Sequence, residues 1–456
     1  MTRTTLRFTL VLATAAMTLQ ACAGVAPTSA GAPASAKKAS ESATTTTTPT
    51  TGGATATGSV GANVAPGAPA AAASSAPTTG KAAADTSISN NGASIVGQTA
   101  PAPVQTTAPA VTTQTALKAG AIDDNAKFAD FLAFEAAYAG QKMRAYDASE
   151  RHVIVVKDAA GKPVANTKVT VSAGDNVVWT GKTYANGQAL FHPKANKGSD
   201  VGSRFFVTVG DNTATSTGFT RTVEGPWEIK LDTTQAAPVP KLDIQFVVDT
   251  TGSMGPEIAK LQATVQSIAS RIKALPGSPA ARFSLVGYKD QQDSEYLTKK
   301  TDFTGNITDF QTALNALSAS GGGDLPEDLE SALNEGLTTL AWDGATPIRL
   351  SFLITDAAPH IDYPQTVPYT TSIGKAQALG IKFYPIGASG LTKEGEFAMR
   401  QLAQATMGQY LFITRGGDEQ TGGGEVSATV DKFKEGKLDD IVVDIVNGEL
   451  KGLNGQ

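Results

Sequence analysis

The pattern of apolar and polar positions changes twice along the chain. Residues 23–117 show no period: they are mostly Ala, Thr, Pro, Gly and Ser, with an unbroken threonine run at Thr44 to Thr48 and no aromatic residue. A stretch with so little to bury cannot offset the entropy of ordering its backbone, which predicts a disordered linker. Helical spacing begins at Ala126, where Phe128, Phe131, Leu132 and Tyr138 recur before Gly140, and predicts a short docking helix within residues 122–150. From His152 the period becomes two. Short apolar runs such as Val153 to Val156, Lys168 to Val171 and Phe205 to Val209, divided by Gly, Asn and Asp turns, predict a β-sandwich over residues 151–236.

After the hinge Pro238-Val239-Pro240 the strands lengthen and alternate with helices. Leu242 to Val248, Arg282 to Val286, Ile348 to Ile354, Ile381 to Ile386 and Tyr410 to Ile413 are near-continuous apolar runs. Between them, Pro256 to Leu275, Ile307 to Leu317, Leu329 to Leu340, Thr371 to Leu379 and Lys393 to Thr406 have helical spacing, and Val426 to Val446 supplies a last helical stretch. This alternation predicts an α/β unit over residues 240–446, a doubly wound parallel sheet covered on both faces, and leaves residues 447–456 as a tail. Sites in such sheets lie in the loops beyond the strands' C-terminal ends.

Composition narrows the chemistry. The 456 residues carry 37 Lys and Arg against 42 Asp and Glu, a net charge of −5, which gives no basis for a nucleic-acid surface. One Cys and three His exclude a disulfide framework and any zinc centre of several cysteines. A bound metal would be held mainly by oxygen.

The N-terminus reads as an address. Arg3 and Arg7 precede a short apolar run, Phe8 to Leu19, too short to span a bilayer and laid out like a secretory signal. Leu19-Gln20-Ala21-Cys22 resembles the lipobox of bacterial lipoproteins, in which cleavage precedes an acylated cysteine. The resemblance implies a signal peptide at residues 1–21 and lipidation of Cys22. It also implies a lipid-anchored protein of the bacterial cell envelope, with the linker of residues 22–121 between anchor and folded units. Ala23 in place of Asp resembles outer-membrane sorting.

Three loops of the α/β unit carry candidate ligands. Asp249-Thr250-Thr251-Gly252-Ser253 follows the first strand, so oxygens at alternate positions can converge, as a hard divalent cation requires. Ser253, before Gly255-Pro256-Glu257, is equally placed to cap a helix. Asp356 follows the strand Leu350 to Ile354. Gly321-Gly322-Gly323-Asp324-Leu325-Pro326-Glu327-Asp328 delivers acids to a helix start, where they are also favoured by the positive helix end.

Taken together, Asp249-x-Thr251-x-Ser253, the glycine loop and Phe352-Leu-Ile-Thr-Asp356-Ala-Ala-Pro-His360 resemble a von Willebrand factor A domain and its metal-ion-dependent adhesion site. The resemblance implies a cation, Mg²⁺ first with Mn²⁺ or Ca²⁺ admitted, held by Asp249, Thr251, Ser253, Asp324 and Asp356. The family's second-loop threonine is missing, and Asp324 stands nearest its position. Such a site binds a protein partner through an oxygen, often of an acidic residue, and no catalytic residue is assigned. Metal-assisted hydrolysis would need a base, for which His360 or the pair Asp290 and Asp293 are the candidates. The function expected is metal-dependent protein binding or adhesion, with a metal-independent envelope scaffold as the competing class. The anchor alone would touch the membrane.

Overall fold

Uninterrupted apolar runs form the centre of the molecule, as strands covered on both faces must. The computed structural model describes residues 117–138, 142–197, 202–211, 215–276, 279–323, 325–364, 366–388, 390–414 and 433–456. The signal segment, Cys22 and the linker up to residue 116 lie outside the described residues, as does Asp324.

In chain order, β1 (Lys118–Ile122) and α1 (Phe128–Ala137) come first. A β-rich segment follows: β2 (His152–Lys157), β3 (Lys168–Ala173), β4 (Asn176–Lys182), β5 (Gln188–Phe191), α2 (Pro193–Lys197), β6 (Arg204–Val209), β7 (Thr215–Thr220) and β8 (Trp227–Lys230). The remainder holds β9 (Lys241–Asp249), α3 (Gly255–Lys273), β10 (Ala280–Tyr288), β11 (Thr298–Thr304), α4 (Ile307–Asn315), α5 (Leu329–Thr338) and β12 (Ile348–Thr355). It ends with α6 (Tyr369–Leu379), β13 (Ile381–Gly387), α7 (Lys393–Ala405), β14 (Tyr410–Thr414), β15 (Lys434–Lys437) and α8 (Leu438–Leu453).

The large sheet has the order β11-β10-β9-β12-β13-β14-β1-β15. Its five inner strands, β10, β9, β12, β13 and β14, are parallel, whereas β11 and β1 run against them, and β15, paired antiparallel to β1, returns to their direction. The sheet is therefore mixed, not wholly parallel as the alternation predicts. The physical reason is that the added strands are short or polar, with sequences such as Thr298-Lys-Lys-Thr-Asp-Phe-Thr304 and Lys434-Glu-Gly-Lys437, and lack the apolar run that marks a buried strand. Residues 118–121, which composition places in the linker, lie in β1, and α8 continues to Leu453 through part of the expected tail.

Alternation within β9 divides the core. Leu242, Ile244, Phe246 and Val248 pack with α3, α4 and α8 on one face, while Val247 packs with α5, α6 and α7 on the other. Phe131 of α1 joins the second layer. On α3, buried Leu261, Val265, Ile268 and Ile272 recur at intervals of three or four, the stripe that holds it to the sheet.

The β-rich segment forms two sheets, β5-β2-β8 and β4-β3-β6-β7, which share one core around Phe191, Phe205 and Trp227. Trp227 is wholly buried and stacks between His152 and Phe219, with ring centroids at 4.1 and 5.0 Å. Polar contacts fix this segment to α6 and to the large sheet itself: Trp179 Nε1 donates to Gln377 Oε1 at 2.8 Å, and Arg349 Nη1 of β12 donates to Asn166 Oδ1 at 3.0 Å. Among the described residues no helix is long and apolar enough to cross a membrane.

Candidate metal centre

Parallel pairing of β9 and β12, with Val248 opposite Ile354, brings their C-terminal ends to one edge of the sheet. Asp249 and Asp356 therefore emerge side by side. Asp249 is wholly buried, and its two oxygens are fixed separately. Oδ1 accepts from the Thr251 amide at 2.9 Å and from Thr251 Oγ1 at 2.7 Å, while Oδ2 accepts from Thr355 Oγ1 at 2.6 Å and Tyr288 OH at 3.4 Å. Thr251 Oγ1 lies 3.2 Å from Ser253 Oγ, which donates to Asp356 Oδ1 at 3.0 Å. The four residues thus form one continuous array of oxygens. Ser253 does not cap α3: Met254 occupies the N-cap position and no side chain caps that end.

The glycine loop closes the array from a third side. Gly321 and Gly322 adopt φ of +74° and +73°, in the left-handed region that favours glycine. The Gly252 amide donates to Gly321 O at 3.0 Å, and a Cβ on Gly322 would lie 2.9 Å from Glu327 Oε1. The close approach of these loops excludes side chains there.

Glu327 is the residue that sequence reasoning missed. The acids near that helix start look alike by sequence, but Glu327 and Asp328 separate in space. Asp328 is the cap of α5, accepting from the Ser331 amide at 2.9 Å. Glu327 instead has its backbone tied to the loop after Asp356, its amide donating to Ala358 O at 3.0 Å and its carbonyl accepting from the His360 amide at 2.9 Å. Its carboxyl is buried, and Oε2 has no hydrogen-bond partner among the described residues. The available signal was numerical: one cap suffices for a helix, and the run offers more acids than that.

Electrostatics follow from the crowding. Burial pushes Asp249 above the usual carboxylate range against the hydrogen bonds that favour its charge. Burial, then the charge of Asp249, raises Asp356 to about 7. Burial, then the charges of Asp249 and Asp290, raises Glu327 to about 8. The donors are carboxylates and hydroxyls, the hard oxygen ligands suited to Mg²⁺ or Ca²⁺, and the orphaned Glu327 Oε2 is a buried acceptor that such an ion would satisfy. Among the described residues no three of His, Cys, Asp and Glu are grouped as a metal cluster, so the hydroxyls of Thr251 and Ser253 are needed to complete a ligand set. An open depression of about 500 Å³, bordered by Ser253, Gly322 and Glu327, gives access from solvent.

The other candidates lie around this centre. His360 Nδ1 pairs with Asp362 Oδ1 at 2.8 Å, its ring stacks on Tyr363, and Nε2 lies 3.7 Å from Asp290 Oδ1. Asp290 also accepts from Tyr363 OH at 2.9 Å, and Asp293 accepts from the Gly322 amide at 3.0 Å. Asp293 is thus a support of the glycine loop.

Residues 243–415 match the sequence profile of the von Willebrand factor A domain, so the chain contains such a domain, of a class that generally binds proteins. Von Willebrand factor A domain-containing protein 7 of Homo sapiens is 33% identical over 120 residues, 26% of this chain and 12% of that protein. A putative ariadne-like RING finger protein R811 of Acanthamoeba polyphaga mimivirus is 31% identical over 119 residues, 26% of this chain and 11% of that protein. The chain thus matches about an eighth of the length of these relatives. Among solved structures, the pilus adhesin SpaC from Lactobacillus rhamnosus GG aligns with a TM-score of 0.32 and 14% identity, covering 56% of this chain and 33% of that one. Proximal thread matrix protein 1 from the mussel byssus gives the same TM-score and identity over 50% of this chain and 54% of that one.

Proposed function

We propose that the A domain is a metal-dependent protein-binding module. Asp249, Thr251, Ser253, Asp356 and Glu327 would hold a divalent cation, Mg²⁺ first, and a partner protein would supply a further oxygen, in the reading the resemblance implies from an acidic side chain. When bound, the cation supplies a Lewis-acidic point for that oxygen. The chain's own residues do the rest: Thr355 and Tyr288 orient Asp249, Ser253 orients Asp356, and Gly321 and Gly322 leave room for approach. The observation that carries the reading is the continuous oxygen array of Asp249, Thr251, Ser253 and Asp356, with Glu327 Oε2 buried and without a hydrogen-bond partner among the described residues. Asp324, nearest the family's second-loop position, is held back because Glu327 reaches the array from the same connection.

The site works by binding rather than catalysis. We further place the module in the bacterial cell envelope, on an outer-membrane lipid anchor at Cys22, with the two β-sheets of residues 152–230 acting as a spacer. The test of metal dependence is calorimetric titration of the full chain with Mg²⁺, Mn²⁺ and Ca²⁺. Binding that Asp249→Ala abolishes, with circular dichroism unchanged, supports the proposal; binding that survives the substitution refutes the ligand set.

A further inference from the structure

Lysine is almost never fully buried unless its ammonium is paired, yet Lys289 has no exposed surface. It stands just behind the array described above. Its Nζ donates to Thr250 O at 2.9 Å, to Ser320 Oγ at 2.8 Å and to Ser320 O, with Glu295 Oε2 3.6 Å away. Thr250 lies between Asp249 and Thr251, and Ser320 precedes the two left-handed glycines. The same loops are joined by the Ser320 amide donating to Thr250 O at 3.0 Å and the Gly252 amide donating to Gly321 O at 3.0 Å. Tyr296 covers the ammonium, its ring centroid 5.3 Å from Nζ and its hydroxyl 2.9 Å from Thr250 Oγ1.

We propose that Lys289 is a positioning residue whose ammonium clamps the loop of Asp249, Thr251 and Ser253 to the glycine loop before Glu327, so that the metal-free protein already holds its ligands in place. The inference rests on the metal-binding reading of the preceding subsection. Two effects of opposite sign decide its outcome. As a fixed positive charge near a cation, Lys289 disfavours the metal. As a clamp, it removes the cost of ordering two loops when the metal arrives. Groups that orient metal ligands are worth about 10–100-fold in affinity, and the burial of Lys289 with acceptors on both loops puts the clamp ahead.

Mg²⁺ titration of the full chain separates the two. Lys289→Met keeps the length of the stem and removes charge and donors; the clamp predicts about 10–100-fold weaker binding. Unchanged or tighter binding, the result for a mere neighbouring charge, overturns it. Arg282→Met is the control for general destabilisation: it breaks a pair with Asp243 at the opposite end of β9 and should lower stability while leaving Mg²⁺ affinity unchanged. If Lys289→Met does not fold, hydrogen exchange of the unsubstituted chain in chelator decides. The Gly252 and Ser320 amides should be as protected without Mg²⁺ as with it, and free exchange in chelator overturns the proposal. If the unsubstituted chain binds no cation, the metal-binding reading fails separately, and protection of these amides still tests the clamp.

Discussion

Asp356 and Glu327 both feel the charge of Asp249 at the edge of the sheet, and burial first, that charge second, make each harder to ionise. Removing one should therefore act in opposite directions on the two states of the site. Glu327→Gln keeps the shape, removes an acid that burial first and the charges of Asp249 and Asp290 second make costly to hold there, and should raise the unfolding temperature of the chelated protein. In calorimetry the same substitution should weaken Mg²⁺ binding by about 10–100-fold, the range for losing a group that shapes a metal site. A variant that is more stable without metal and binds Mg²⁺ as tightly as before would show that Glu327 is crowded but no ligand. Asp249, Thr251 and Ser253 were legible because alternate oxygens follow directly on an apolar strand. Asp356 was legible for the same reason at β12. Glu327 and Lys289 were not, because their roles depend on which distant loop each one meets.

At the scale of elements, long apolar runs made the five parallel strands readable, and the 3.6-residue stripe did so for the helices that cover them. The strands at the margins carried no such signal. β1 is the instructive case: Gly120 sits where any side chain would collide with the rings of Phe412 and Phe433, so its small residues are a packing requirement that composition reads as linker. The segment from β1 through α1 is held down by a buried ion cluster. Arg400 Nη2 and Nε pair with Asp124 at 2.6 and 2.9 Å, Nη1 reaches Glu396 Oε1 at 3.2 Å, and the guanidinium lies 3.7 Å from the Phe134 ring. Breaking a buried pair from one side costs about 3–5 kcal/mol, because the other charges stay behind. Arg400→Met should therefore destabilise the chain by about that amount in denaturant titration. It should also open residues 117–138 to protease first. Loss of stability without new cleavage there would contradict the anchoring role.

Across the whole molecule, the β-rich segment, the N-terminal strap and the A domain meet around one histidine. His192 is wholly buried, with Nδ1 3.4 Å from Tyr146 OH and Nε2 3.4 Å from Gln404 Nε2. Burial lowers it to about 3, from an ordinary value of 6.5. Between those values the unfolded chain binds a proton that the folded one refuses, so this contribution is complete above pH 6.5 and is lost progressively as pH falls toward 3. Thermal unfolding should show stability falling over that window, and His192→Gln should make the fall shallower. An equal slope in both proteins would remove the histidine from the account. At the same scale, Cys22→Ala should release the protein from the membrane fraction of a bacterial host; retention would remove the lipid anchor.

The central claim is that the edge of the large sheet holds a cation through Asp249 and its neighbours. A fragment beginning at the Pro238 hinge would lack β1 and its paired backbone, so the measurement belongs to the full chain. Calorimetric titration with Mg²⁺, on the unsubstituted protein and on Asp249→Ala, tests it most directly. The account predicts saturable binding to the first and none to the second, with both folded by circular dichroism. Equal binding by both, or no binding of Mg²⁺, Mn²⁺ or Ca²⁺ by the unsubstituted chain, would contradict it.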